Sequence, residues 1–356
     1  MLVVLMAALV LELLACPQVM PAQTEATAQR RVLEVDRDGS GAYQTLREVA
    51  AAAQPGDTIR LKPKSGPYRE ELYVRASGTA AAPITIDGGG NLITGFEPLT
   101  GFVRRGDAWV CRLPVPFPCV LTYRGERLLQ DTKTGQFMKY ATLNEAQDTI
   151  TLLPGVEPTD WEISTRLFAV RIANVSHHIY KNIRASGSLN DGFNLHGTGT
   201  NLIFENIEGF HNLDEGFSAH DHIASTVRGG QFWGNDNGIG NIADSQTVAE
   251  DIDCRDNLGW GIWLSQCTME MKRVRIWGNG VTQLLLNKAD VTCADVTVYT
   301  PSFMARPWVS YMESKKATFS LPYINHDSTM QGTPPVIRAE PAPPEAEGTA
   351  QPEKPS

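Results

Sequence analysis

Positive charge is scarce in this sequence of 356 residues, which contains 31 lysines and arginines against 40 aspartates and glutamates. The net charge of −9 argues against nucleic acid or an anionic membrane surface as the partner. Cysteine is scarce too, and none of the 6 cysteines shows the spacing of metal ligands, which argues against a zinc site built from cysteine. Apolar residues, in contrast, make up an ordinary 42% of the chain, enough for a sizeable core.

The apolar run at the N-terminus, "MLVVLMAALVLELLAC", is too short and too poorly flanked for a membrane-spanning helix. We expect residues 1–22 to be an export signal, which predicts a periplasmic, extracellular or lipid-anchored protein. Two ways of processing this signal remain possible. Cleavage can fall near Ala22, or Cys16 can be lipidated, because "LLAC" resembles a bacterial lipoprotein box.

The cysteines beyond Cys16 fall into two groups. Cys111 and Cys119 flank the stiff segment "RLPVPFP", and an exported compartment permits a disulfide between them. The wide spacing of the others favours buried free thiols at Cys254, Cys267 and Cys293.

A repeat organises the second half of the chain. The segments "NDGFNLHG", "DEGFSAHD", "NDNGIGNIAD" and "LGWGIWLSQC" align on Gly192, Gly216, Gly238 and Gly261, at spacings of 24, 22 and 23 residues. Each unit reads as two short strands and two turns, which bury their apolar side chains only by stacking on the next unit. A leucine-rich pattern and a helical period are both absent. We therefore predict a right-handed parallel β-helix over residues 169–325.

The rest of the chain predicts four further features. "TLREVAAAA", which begins at Thr45, has the capping box and apolar face of a helix, and residues 32–95 form an N-terminal cap with the first coils. Residues 96–168 lack the coil spacing and indicate an inserted β-rich subdomain. The tail 333–356 has too few apolar residues to fold and is expected to be disordered.

Residues 39–90, which begin "GSGAYQTLREVAAAAQPGDTIRL" and end "APITIDGGG", resemble the start of bacterial pectate-lyase-like β-helix proteins. That superfamily includes the alginate lyase and chondroitinase B group of polysaccharide lyases. The resemblance implies the β-helix fold. It leaves the reaction open, because the superfamily contains lyases, hydrolases, esterases, epimerases and non-enzymes.

Acidic side chains fall in neighbouring columns, since equivalent positions of successive coils stack about 4.8 Å apart. Asp191 and Glu215 directly precede their anchor glycines, and Asp214 and Asp236 lie one residue earlier. Stacked carboxylates repel unless they are protonated or bridged by a cation, so these four residues predict a Ca²⁺ site. The alternative is that they satisfy local backbone groups in turns. That turn role is our interpretation of four asparagines: Asn190, Asn212, Asn235 and Asn257.

His196 and His220 share the column four residues after the anchor glycines, beside the carboxylates. A neutral imidazole can abstract a proton near pH 7, so we predict a catalytic pair; the alternative is a pair stacked for packing. "EGFSAHDH" also resembles the active-site stretch of mannuronan C5-epimerases, Tyr-Gly-Phe/Ile-Asp-Pro-His-Asp/Glu. The resemblance implies His220 as the base. Glu215, Ser218 and Ala219 depart from the epimerase pattern at its Tyr, Asp and Pro.

We therefore predict a monomeric enzyme that acts on a polysaccharide by uronate lyase or epimerase chemistry. The predicted catalytic residues are His220, His196, Glu215 and Asp191. The predicted substrate-binding residues are Lys181, Arg184 and Arg228 for an acidic sugar, and Trp263 as a stacking platform. Two alternatives stay open. One is glycoside hydrolysis by a carboxylate pair, Asp191 with Glu215 or Asp214 with Asp236. The other is a non-catalytic β-helix that binds glycans or cell-surface partners.

Overall fold

The computed structural model describes residues 30–131, 133–300 and 321–339. The predicted export signal, with Cys16, lies outside these residues, as does the tail beyond residue 339. Within the described ranges, no helix is both long enough and apolar enough to cross a membrane.

The elements follow one another in three groups. The first group contains β1 (Val32–Val35), α1 (Leu46–Ala52), β2 (Thr58–Leu61), β3 (Ile84–Asp87) and β4 (Leu92–Thr94). The second contains β5 (Phe96–Pro98), β6 (Val103–Arg105), β7 (Ala108–Arg112), β8 (Leu121–Tyr123), β9 (Glu126–Arg127), β10 (Ala141–Leu143), β11 (Thr149–Leu152) and β12 (Trp161–Ser164). The third contains β13 (Val170–Ala173), β14 (His178–Ser186), β15 (Phe193–His196), β16 (Thr198–Phe210), β17 (Glu215–Ala219), β18 (His222–Trp233), β19 (Asn237–Ile242), β20 (Gln246–Arg255), β21 (Trp260–Ser265), β22 (Thr268–Trp277), β23 (Thr282–Asn287), β24 (Asp290–Tyr299), β25 (Leu321–His326), β26 (Thr329–Gly332) and β27 (Val336–Arg338).

Two parallel sheets run the length of the solenoid. Sheet A has 12 strands in the order β1-β2-β3-β14-β16-β18-β20-β22-β24-β26, with β4 beside β14 and β27 beside β24. Sheet B has 7 strands in the order β13-β15-β17-β19-β21-β23-β25. Each coil of the second half thus gives one strand to sheet B and the next to sheet A. The predicted parallel β-helix is confirmed.

The glycine anchors predict the register of sheet B correctly. Ser218 pairs with Asn194 on one side and with Gly240 on the other, and Gly240 pairs with Trp263. The alternate residues of these strands, such as Phe193 and Leu195, are fully buried in one hydrophobic cluster that fills the solenoid. Side chains of the first set therefore point away from the core.

Asparagines line the turn that leads from sheet A to sheet B. The Oδ1 atom of Asn235 accepts from Asn212 Nδ2 at 2.9 Å, that of Asn257 from Asn235 at 3.1 Å, and that of Asn279 from Asn257 at 2.8 Å. Each Oδ1 also accepts from the backbone N–H of the preceding asparagine. All four asparagines are fully buried, and the ladder satisfies backbone groups that would otherwise be orphaned. The turn interpretation is confirmed for Asn212, Asn235 and Asn257.

Residues 96–164 interrupt the parallel sheets with two antiparallel sheets of four strands each, β10-β11-β7-β6 and β5-β12-β8-β9. This insertion has a hydrophobic cluster of its own that includes Trp161. Cys111 and Cys119 both lie buried in it as free thiols, so the disulfide that we considered is not formed. The other three cysteines are buried free thiols, as predicted.

The ends of the described chain show one agreement and one correction. Thr45 caps α1 through a capping box with Glu48, and Leu46, Val49 and Ala50 are buried. The tail was predicted to be disordered from residue 333, but Val336–Arg338 form β27 beside β24. The exposed backbone edge of a solenoid strand offers ladder partners even to a segment poor in apolar residues, and composition does not report such pairing.

Candidate functional site

Three of the four predicted acidic ligands meet where sheet B begins. Asp191, Asp214 and Glu215 each offer a carboxylate oxygen, and these oxygens lie within 4.8 Å of one another. Asp191 and Glu215 are 1% and 5% exposed. Asp236 is buried as well but is not part of this group. We call Asp191, Asp214 and Glu215 the acid cluster.

Amide groups hold the acid cluster in place. The Nδ2 atom of Asn194 donates to Asp191 Oδ2 at 2.6 Å, and the backbone N–H of Glu215 donates to Asp191 Oδ1 at 3.2 Å. Gly240 leaves the space for the Glu215 side chain, since an added Cβ would lie 2.9 Å from Cγ and Oε1 of Glu215. The positions of the cluster side chains therefore depend on contacts with the neighbouring coils.

Burial raises the pKa of both Asp191 and Glu215. For Glu215 the increase is large, because the negative charges of Asp214 and Asp191 add to desolvation. A proton shared within the cluster, or a cation, would relieve this repulsion. The cluster can therefore donate a proton or hold a hard cation at neutral pH.

This raised pKa predicts the pH dependence of a Glu215→Gln variant, measured in EDTA. Folded Glu215 keeps its proton at a pH where the unfolded chain has lost it, so its contribution to stability is complete below the unfolded pKa and is lost as pH rises through the folded value. Each pKa unit corresponds to about 1.4 kcal/mol. We therefore expect the difference in unfolding free energy, variant minus wild type, to grow by about that amount or more between pH 5 and pH 8.

Glu270→Gln is the matched control, because Glu270 is exposed on sheet A. Its stability difference from wild type is expected to be flat with pH in urea unfolding. If the stability difference between Glu215→Gln and the wild type is also independent of pH, the pKa of Glu215 is not raised by burial and charge repulsion.

The two predicted histidines are stacked on the same face of sheet B. The ring centroids of His196 and His220 lie 4.1 Å apart with an interplanar angle of 17°. The side chain of His196 is 42% exposed, and its Nδ1 lies 3.6 Å from Asp221 Oδ2, which also accepts from the backbone N–H of Gly197 at 2.9 Å. Asp221 thus orients the more accessible ring of the pair.

His220 is held as a neutral base. Partial burial and the adjacent His196 ring lower its pKa to about 4, so the imidazole is uncharged at pH 7. Its Nε2 lies 2.7 Å from the hydroxyl oxygen of Ser218, which is itself buried beside Asn194. The neutral ring can accept a proton, so the predicted role of His220 as a base stays a prediction.

The insertion packs against the turn that carries the acid cluster. Arg127 of β9 donates to the carbonyl oxygen of Asn212 at 2.9 Å and also to that of Gly234. Leu213 packs against Phe96 and Val120 of the insertion. The neighbouring His211 lies near Arg127, and desolvation together with the positive charge of Arg127 lowers its pKa to about 3. The insertion therefore braces the turn just before Asp214 and Glu215.

Three of the predicted substrate-binding residues lie elsewhere. Lys181, Arg184 and Arg228 point outward from sheet A, not from sheet B, and each is paired with a carboxylate there. The repeat spacing predicted that these residues lie one coil from the histidines on the same face. That prediction was wrong because the chain passes from one sheet to the other within each coil. Trp263 does lie on sheet B, two strands from Ser218 and against Trp260 at 4.8 Å.

Three further members of the site, Asn194, Ser218 and Asp221, were not predicted from the sequence. Asn194 and Ser218 each lie two residues after an anchor glycine, and a polar pair that alternates with buried apolar residues is the signal that could have identified them. Asp221 follows His220 directly but orients the ring of His196 one coil away. Only the stacking of coils reveals that contact.

Comparisons with known proteins agree with this architecture. No family model matches the chain, and no curated protein matches it. The solved structure described as XylC in complex with xylose is similar, with a TM-score of 0.54 and 12% identity over 84% of this chain and 68% of that chain. The chain is a parallel β-helix. The predicted β-helix fold is thus confirmed. Pectate lyase Pel9A covers 85% of this β-helix and 79% of its own chain, at 14% identity and a TM-score of 0.46. A rhamnogalacturonan lyase covers 78% of both chains at 11% identity and a TM-score of 0.39.

Proposed function

We propose that this β-helix acts on an acidic polysaccharide by uronate lyase or epimerase chemistry, with His220 as the base. The observation that carries the proposal is the stacked histidine pair, in which His220 is neutral at pH 7 and lies beside Ser218. A protein of similar fold has been solved with xylose, which supports a sugar as the ligand.

The chemistry begins with the proton on the carbon next to the sugar carboxylate. His220 takes this proton, and the electron pair left behind is delocalised into the carboxylate. In a lyase, that pair then forms a double bond as the glycosidic C–O bond breaks, and the leaving oxygen takes a proton. In an epimerase, a proton returns from the opposite face of the ring. In the lyase reaction, His196, oriented by Asp221, is the more exposed acid that can supply the proton to the leaving oxygen from the same side as His220.

The acid cluster also fits the predicted Ca²⁺, because its donors are carboxylate oxygens that converge and repel one another. We propose that Asp191, Asp214 and Glu215 would hold the ion. A bound Ca²⁺ would neutralise the sugar carboxylate and so stabilise the charge that develops when the proton leaves.

Calcium is accordingly expected to raise the melting temperature of the protein. An ion present at one hundred times its Kd stabilises a folded state by about 2.7 kcal/mol, which for a chain of this size is a shift of several degrees. The shift should vanish in Asp214→Ala and persist in Asp244→Ala, since Asp244 is an exposed residue at the sheet A side of the coil. Equal shifts in the two variants, or none in wild type, would contradict the site.

Glycoside hydrolysis by Asp191 and Glu215 is less well supported by the geometry. Oxygen atoms of their two carboxyl groups lie within 4.8 Å of each other. Retaining and inverting glycosidases instead hold their two carboxyl groups about 5 Å or more apart, on either side of the scissile bond.

A panel of polysaccharides tests the proposal. Polygalacturonate, alginate, glycosaminoglycans and neutral xylan are incubated with the protein, and products are read by ultraviolet absorbance of unsaturated uronates and by reducing ends. Absorbance together with reducing ends identifies a lyase, and proton exchange seen by NMR without cleavage identifies an epimerase. Reducing ends without absorbance would instead identify a hydrolase. Silence in all three readouts would leave a glycan-binding protein.

A further inference from the structure

The outward face of sheet B continues past the histidines toward the N-terminal end of the solenoid. Leu72 forms a parallel bridge with Val170, and Arg171 N–H donates to the carbonyl oxygen of Leu72 at 2.9 Å. Tyr73 is therefore next to Arg171 in the outward row, and Arg171 is paired with Asn194. The segment around Tyr73 thus acts as one more coil before β13, on the same face as His220.

Two arginines contact the ring of Tyr73. The Cζ atom of Arg171 lies 4.8 Å from the ring centroid and that of Arg75 lies 4.9 Å from it. Phe168 adds a second ring, 5.9 Å from Arg171 Cζ. An aromatic face attracts each guanidinium, but two cations held against one ring repel each other. Such an arrangement is relieved when an anion lies between them.

Little on the protein compensates these two charges. In the parts of the chain that the structure describes, neither Arg75 nor Arg171 forms an ion pair with an N···O distance of 4.0 Å or less. Glu71, in the wall of the same cleft, is near enough for its charge to interact with both arginines but forms an ion pair with neither. Arg75 is exposed and Arg171 is half-buried, so the guanidiniums remain accessible.

A cleft beside Tyr73 offers room for a sugar chain. Its volume is about 800 Å³, and its walls include Arg47, Arg69, Tyr73, Arg75 and Arg166. Arg69 is paired with Glu162 and Arg166 with Glu97, whereas Glu70 in the wall accepts from the backbone N–H groups of Leu46 and Arg47. The wall charges of Arg69, Arg166 and Glu70 are thus engaged within the protein, in contrast to that of Arg75, while Arg171 contacts the wall residue Tyr73.

We propose that Tyr73, Arg75 and Arg171 form a subsite for the anionic group of a sugar residue next to the one processed at His220. The assignment of the reacting residue to His220 rests on the proposed function. At about 4.8 Å per strand, Arg171 is about 10 Å from Ser218, a distance that a short oligosaccharide spans. The guanidinium fork matches the paired oxygens of a uronate carboxylate or of a sulfate ester. Tyr73 and Phe168 hold Arg171 in the orientation that presents this fork.

Binding to the His220→Gln variant tests the subsite without turnover. Isothermal titration calorimetry is run with polygalacturonate, alginate, dextran sulfate and neutral xylan, at low and at high salt. We expect at least one acidic polymer to bind more tightly than xylan, and high salt to weaken that binding. Arg171→Gln and Arg75→Gln, added singly to this variant, should each weaken it about tenfold, the value of one charge-assisted hydrogen bond.

Two further variants separate the subsite from general electrostatics. Arg228→Gln removes one exposed positive charge from sheet A and should leave the affinity unchanged. Arg171→Lys keeps the charge but loses the planar fork, so it should recover only part of the affinity. Uronate polymers that bind when dextran sulfate does not identify a carboxylate as the ligand, and the reverse identifies a sulfate.

The subsite is wrong if no acidic polymer binds more tightly than xylan, or if Arg75→Gln and Arg171→Gln both bind as well as their parent. It is also wrong if Arg228→Gln weakens binding as much as they do. Failure of the subsite and failure of the catalytic proposal are distinguishable. If His220→Gln keeps full activity while Arg171→Gln binds weakly, His220 is not the base but the subsite is supported.

Discussion

His220→Gln is expected to lower turnover of the acidic polysaccharide by about 10²–10⁴-fold, the usual contribution of a positioned general base. Glutamine retains a polar side chain that can hydrogen-bond the Ser218 hydroxyl, so the loss should appear in kcat with little change in melting temperature. The readout is the initial rate of unsaturated-uronate formation or of proton exchange, whichever the polysaccharide panel identifies.

The pH profile of the wild type sharpens this expectation. The base must be unprotonated, and the pKa of His220 is lowered to about 4, so the acidic limb of kcat/KM should lie near pH 4 and not near 6.5. In His196→Gln the limb should move to higher pH, because the positive charge of a protonated His196 is one cause of the lowered value. A purely structural role for either ring would leave the position of the limb unchanged.

His222→Gln is the matched control for both measurements. His222 belongs to the same coil, but its side chain is 73% exposed and lies at the start of sheet A, where its nearest charged group is Asp244 at 4.0 Å. Its activity and pH profile should match the wild type. If His220→Gln is as active as His222→Gln, the base lies elsewhere.

Asn257→Ala should destabilise the fold by at least about 3 kcal/mol, because it interrupts the asparagine ladder at its centre. Asn257 Oδ1 accepts from the backbone N–H and the Nδ2 of Asn235, and its Nδ2 donates to Asn279 Oδ1 at 2.8 Å and to the carbonyl oxygen of Phe232 at 3.2 Å. All of these groups belong to a fully buried turn, so water cannot replace the lost partner. Each buried donor or acceptor left unsatisfied costs about 1–3 kcal/mol.

Urea-induced unfolding measures this effect, and Asn287→Ala is the control. Asn287 is half-buried and donates one side-chain hydrogen bond, to Ser265 Oγ at 3.1 Å. We expect a cost of about 1 kcal/mol or less there, the net value of a single accessible hydrogen bond. Equal costs for the two asparagines would show that the ladder adds nothing beyond local turn preference.

Much of the candidate site could be read from the spacing of the glycines. In a parallel solenoid the alignment of repeats is also the strand register, so Asp191 beside Glu215 and His196 beside His220 follow from sequence offsets alone. The positions of Lys181 and Arg184 could not be read in this way, because the same offset is compatible with either sheet. The chain bends at Asn182 and Asn206, which adopt positive φ angles, and asparagine tolerates that conformation in many settings.

The arginine subsite lay beyond repeat analysis for a different reason. Tyr73 and Arg75 precede the insertion and Arg171 follows it, so residues far apart in the chain meet only when the solenoid resumes in register at Val170. No short-range pattern encodes that distance. The same is true of Cys111 and Cys119. Their packing inside the insertion leaves both as free thiols, and their spacing in the sequence does not show this.

The sequence by itself therefore determined the coil, its register and the pairs of side chains that stack, because a parallel ladder repeats whatever the chain repeats. Only the tertiary structure decided the environment of those pairs. Burial raised the pKa values of Asp191 and Glu215 within the acid cluster and left His220 neutral. Desolvation and long-range contacts set these properties, and neither is a function of sequence spacing.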